Sequence, residues 1–126
     1  MLGNFQHSNL RIEVSASKQV IQDTLLESDR LKQWMWPQNF TSLSGKLNSG
    51  DIFVSSIGLI EIEHTVELID DSSLRLLLSK GIDGFHEWHW DDGWLQSRLE
   101  GISLLPLNLG QTISLFRLRQ YLSSNN

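Results

Sequence analysis

From residue 39 to residue 104 the chain is a run of short β-prone segments broken by turn residues, and that rhythm leaves few folds open. Segments 39–44, 51–57, 59–69, 73–79, 84–91 and 94–104 read as strands. The breaks are Gly45 to Gly50, Gly58, Asp70-Asp71-Ser72, Lys80 to Asp83 and Asp91-Asp92-Gly93. Connections this short join antiparallel neighbours, because a parallel crossover needs about a dozen residues. Asp92-Gly93 between apolar runs is a strong turn signal, since glycine accepts the positive φ of a tight hairpin.

The flanks obey other periods. Residues 9–15 alternate, with Leu10, Ile12 and Val14 opposite Arg11 and Glu13, as in a half-buried strand. Beyond the N-cap hydroxyls of Ser15 and Ser17, the spacing predicts two short helices over 18–26 and 29–35. Ser28 is placed to cap the second, and Pro37 stops it. After Leu105-Pro106, the stripe Leu109, Ile113, Phe116, Leu118, Tyr121 and Leu122 predicts a closing amphipathic helix over 107–122. The class is therefore α+β, a seven-stranded curved antiparallel sheet with two short helices and one C-terminal helix. One sheet face needs a cover, and the last helix is the only long one available. A helix laid across a curled sheet does not fill its concavity, so an apolar cavity is expected between them.

Composition narrows the function. A chain of 126 residues fits a single domain over 1–126. Ten basic against fifteen acidic side chains give a net charge of -5, which disfavours nucleic acid as a partner. The absence of cysteine excludes disulfides, thiolate metal sites and cysteine nucleophiles. The N-terminal residues lack a basic start followed by an apolar stretch, and no apolar run approaches the roughly 20 residues of a spanning helix. A cytoplasmic location, no stable membrane insertion and no cofactor are the expectations.

Particular motifs go further. Ile12-Glu13-Val14-Ser15-Ala16-Ser17 followed by Val20 is similar to the opening strand and helix of the START-like, Bet v-type (SRPBCC) superfamily, whose members share the helix-grip fold. Trp34 after Asp29-Arg30-Leu31 stands where these proteins often end their second short helix. Leu47-Asn48-Ser49-Gly50-Asp51-Ile52-Phe53 resembles the turn into their third strand, and Leu104-Leu105-Pro106-Leu107 the entry to their last helix. The resemblance implies a cavity for a small hydrophobic or amphipathic ligand. It equally admits a polyketide cyclase or dehydratase, or a chaperone-activator-like interaction domain. The final helix is short for the family, which implies a small or open cavity rather than one for a sterol or phospholipid.

Several residues are candidates for the chemistry. His64 shares a strand face with Ile60, Ile62, Val66 and Leu68, pointing where the cavity is expected. It reads either as a ligand partner or acid/base, or as a core histidine bonded to a neighbour. His86, Trp88 and Trp90 share one face of the next-to-last strand, opposite Phe85, Glu87 and His89; the tryptophan face is expected inward. A zinc site from His86, His89, Glu87, Asp91 and Asp92 fails, because residues three apart on a strand face opposite ways. Arg98, beside Trp94 and Gln96, either anchors an anionic head group from inside or pairs with an acid such as Glu100 outside. Glu61, Glu63 and Glu67 read as a solvated row with Arg75 as partner. No nucleophile elbow, phosphate loop or dinucleotide fingerprint occurs.

The expectation is a module that binds a small hydrophobic molecule through His64, Ile62, Val66, Trp88, Trp90, Arg98, Ile113 and Phe116, with Tyr121 or Gln111 as further polar contacts. The first rival is an enzyme of the cyclase kind with His64 as acid/base. The second is an interaction domain using Trp36 or Trp94.

Overall fold

Alternation and turn chemistry build the sheet. In the computed structural model, which describes residues 3–35, 39–41 (backbone only) and 45–124, the elements run in the expected order. They are β1 (Asn4–Glu13), α1 (Lys18–Leu26), α2 (Ser28–Trp34), β2 (Asn39–Thr41), β3 (Ile52–Ile57), β4 (Ile60–Ile69), β5 (Ser73–Lys80), β6 (Asp83–Asp91), β7 (Trp94–Ser103) and α3 (Leu107–Ser124). The seven strands form one antiparallel sheet in the order β1-β7-β6-β5-β4-β3-β2. A meander thus runs from β2 to β7, and the first strand closes the far edge. Gly93 takes φ +81° in the β6–β7 turn, the conformation its sequence promised.

Three local expectations need correction. β1 begins five residues earlier than residue 9, because it pairs with β7 along its whole length from Asn4↔Ser103 to Glu13↔Trp94. Ser28 lies inside α2 and does not cap it; Glu27 precedes the helix and makes no side-chain cap bond. Instead the Ser28 amide donates to the Gly45 carbonyl, 3.0 Å away. Ser17 does cap α1, accepting from the Val20 amide at 3.2 Å. In β4 the alternation slips at a bulge between Val66 and Leu68, which turns Leu68 outward. The end of the second predicted strand, residues 42–44, lies outside the described residues.

The helices explain why a gap remains. Six spacings of about 4.8 Å make a sheet roughly 29 Å wide, whereas a helix with its side chains is about 10 Å across. One helix covers only about two strands. α3 packs on β1 and β7, and α1 on β6. Arg117 ties α3 to α2 by donating to the carbonyls of Trp34 and Gln33, each at 3.2 Å. The Gln6 side chain anchors the start of α3, accepting from the Leu107 amide and donating to the carbonyl of Leu105. Ile21, Leu25, Trp34, Trp88, Trp90, Leu95 and Leu118 are almost wholly buried between the layers.

Candidate functional site

Where α3 leaves β3 to β6 uncovered, a cavity of about 160 Å³ remains. Its walls include Phe53 and Ile57 from β3, Ile62 and His64 from β4, Leu74, Leu76 and Leu78 from β5, and His86 and Trp88 from β6. α2 contributes Leu31 and Trp34, and α3 contributes Leu107, Gln111, Ile113 and Ser114. Among the described residues no charged side chain lines it. Leu109 lines the cavity yet is 55% exposed, so the mouth opens beside the first turns of α3. The walls are mainly aliphatic, with the aromatic rings gathered in two contacts. Trp34 meets Trp88 edge-on, with centroids 5.8 Å apart, and Phe53 stacks on His64 at 4.5 Å and 7°.

The polar groups within this apolar wall are built by strand pairing. His64 faces inward because β4 alternates, and its Nε2 lies 2.8 Å from Ser55 Oγ on β3. Burial lowers its pKa from 6.5 to about 3, since desolvation penalises the cation. His86, two strands away, places Nε2 2.6 Å from Ser97 Oγ on β7. Burial, and more weakly His64, lowers its pKa to about 3 as well. Gln111 from α3 donates to the carbonyl and the hydroxyl of Ser97, both at 2.9 Å. Both histidines are therefore uncharged at neutral pH.

The structure brings Ile62, His64, Trp88, Ile113 and Gln111 together around the cavity. It removes others. Arg98 lies on the outer face, because the inward residues of β7 are Leu95, Ser97, Leu99, Gly101 and Ser103. There Arg98 pairs with Glu100 and Glu87 and sits over the Phe85 ring. Phe116 is 59% exposed: the buried face of α3 is Leu107, Gln111, Ser114, Leu115, Leu118 and Leu122, a helical stripe whose phase differs from the one anticipated. Val66 and Trp90 are buried but pack away from the cavity. Tyr121 is half-buried against the core and is not a cavity wall.

Trp94 is partly covered by the Arg11 guanidinium, 4.4 Å above its ring, and Trp36 lies outside the described residues. On the outer face Arg75 joins Glu67 and Glu87, as an exposed acidic row requires. His89 is exposed on that face, and among the described residues no group of His, Asp or Glu could hold a metal ion. Nor is any helix among them long and apolar enough to cross a membrane. Sequence reasoning missed Ser55 and Ser97. Their signal was a small hydroxyl in an inward row, next to a strand carrying an inward histidine.

No family model matches the sequence, and no curated protein sequence matches it either. Solved structures do. DynU16, from the dynemicin biosynthetic locus, superposes with a TM-score of 0.72 over 95% of this chain at 15% identity, the match spanning 48% of DynU16. The structure of the Aha1 dimer from Colwellia psychrerythraea gives 0.67 over 93% of this chain and 96% of that one, at 17% identity. Major latex-like protein 151 from Panax ginseng gives 0.70 over 95% and 99%, at 9% identity. Identities this low speak for the fold alone. By element order, strand topology and these likenesses, the chain has the helix-grip fold.

Proposed function

We propose that the chain binds a small, uncharged, mainly apolar molecule in the cavity between the sheet and α3. The observation that carries this is the cavity itself: about 160 Å³ of space walled by aliphatic and aromatic side chains, with no charge among the described residues. An engineered apolar cavity of roughly 150 Å³ takes up benzene or xenon, so a single ring is the natural size class. A sterol or phospholipid does not fit. A one-ring ligand has about the surface of an aromatic side chain, ~150–250 Å². At about 25 cal/mol per Å² its burial contributes roughly 4–6 kcal/mol, or a Kd of about 0.04–1 mM. A ligand that also reaches out past Leu109 gains more.

Two histidines on one cavity are the observation that favours the catalytic rival. Conjugate acids near pH 3 make them poor bases at neutral pH, since proton transfer is most effective when the pKa lies near the working pH. They fit better as neutral hydrogen-bonding groups. The test is thermal denaturation with indole, acetophenone and toluene, beside mass spectrometry of the natively purified protein for a retained small molecule. At ten times its Kd a ligand adds about 1.4 kcal/mol of stability, a rise of several degrees in Tm. A flat Tm with all three probes, and no retained molecule, overturns the proposal.

A further inference from the structure

The hydrogen bonds around Ser97 fix which nitrogen of His86 carries the proton. Ser97 is fully buried, and its hydroxyl has two neighbours: Gln111 Nε2, 2.9 Å away, and His86 Nε2, 2.6 Å away. The Gln111 amide nitrogen only donates, and its alternative orientation is excluded because the same nitrogen also meets the Ser97 and Ser8 carbonyls. The Ser97 hydroxyl proton therefore has one acceptor within reach, His86 Nε2. Were that nitrogen protonated instead, the buried hydroxyl proton would have nowhere to go, an arrangement folded proteins avoid. The chain Gln111 N–H to Ser97 O–H to His86 Nε2 leaves the neutral imidazole with its proton on Nδ1.

Among the described residues that N–H has no hydrogen-bond partner. The ring lines the cavity, with Leu76 and Leu99 as its cross-strand neighbours and Trp88 at 4.6 Å. All three are apolar, so the donor calls for an acceptor from the occupant. We propose that His86 presents Nδ1–H to the cavity as a selecting donor, and that the ligand is a neutral molecule of about one ring carrying an oxygen acceptor such as a carbonyl or phenolic hydroxyl. This rests on the binding function proposed above and names the class of ligand. Trp34, Trp88 and Phe53 favour a flat ring, and the uncharged walls disfavour a carboxylate.

Two near-isosteric probes separate the donor from the cavity. Acetophenone carries C=O where α-methylstyrene carries C=CH2. Calorimetry on the wild type and on His86→Phe gives four Kd values. The α-methylstyrene to acetophenone Kd ratio is expected to be about tenfold higher in the wild type than in the variant, the worth of one hydrogen bond. An equal ratio, with both probes binding, overturns the His86 assignment and leaves the binding function standing. Failure of both probes to bind the wild type overturns both. Nitrogen-15 NMR of histidine-labelled wild type needs no variant: Nδ1–H is expected for His86, and an Nε2–H or doubly protonated ring at neutral pH refutes the proposal. Benzoate binding as tightly as acetophenone does the same.

Discussion

Replacing His64 by glutamine should make the protein less sensitive to acid. His64 is 4% exposed, and its pKa falls from 6.5 to about 3 because the interior cannot solvate the imidazolium. The fold holds the neutral form. The stability linked to it is therefore complete above pH 6.5 and is lost as pH falls toward 3. At pH 5 the unfolded chain has gained a proton that the folded chain still refuses. The difference is about 1.5 pH units at 1.36 kcal/mol each, or about 2 kcal/mol. His64→Gln removes this titration while keeping an amide beside Ser55. Other groups titrate alike in both proteins and cancel, apart from the weak coupling of His86 to His64, which burial outweighs. Urea unfolding followed by far-UV circular dichroism at pH 7.5 and pH 5.0 gives the comparison. The wild type should lose about 2 kcal/mol more than His64→Gln over that interval. Parallel losses would show that His64 is solvated or already charged in the folded state, and the reasoning from burial would fall.

The remaining predictions concern which side chains face inward. Leu118→Ala, at a fully buried position of α3, should cost about 2–5 kcal/mol in urea unfolding, whereas Phe116→Ala should stay within about 0.5 kcal/mol; similar costs would mean the helix phase is wrong. Arg98→Ala should leave acetophenone affinity unchanged and alter stability by no more than about 1 kcal/mol, since its side chain is half exposed to water; a large loss of affinity would return Arg98 to the cavity. Leu99→Phe, which adds volume to a cavity wall, should abolish the rise in Tm with acetophenone at a cost of about 1–3 kcal/mol; an undiminished rise would place the ligand elsewhere.

The architecture was legible because it rests on short-range chemistry. The Asp92-Gly93 turn, the Ser17 cap and the period-2 rows of β4, β6 and β7 each follow from neighbours in sequence. The inward setting of His64, Ile62 and Trp88 followed from the same rows. What failed depended on distant partners. The phase of α3 was misread at Phe116, which repeats at helical spacing from Leu109 and Ile113 yet is exposed; the helix instead turns Gln111 to the sheet, where Ser97 and Ser8 offer bonds that no local pattern reveals. Arg98 was ambiguous because β7 has polar or small residues on both faces. The early start of β1 depended on a partner ninety residues away in the chain. The cavity's volume, set by helix width against sheet width, had no counterpart in any residue pattern.

A titration of nitrogen-15-labelled protein with acetophenone probes the hollow interior most directly. Saturable shifts should appear at the indole N–H of Trp34 and Trp88 and at the His86 ring, and leave the outer Trp94 still. Shifts confined to Trp94, or no saturable shift up to several millimolar, would mean that no small molecule enters between the sheet and α3.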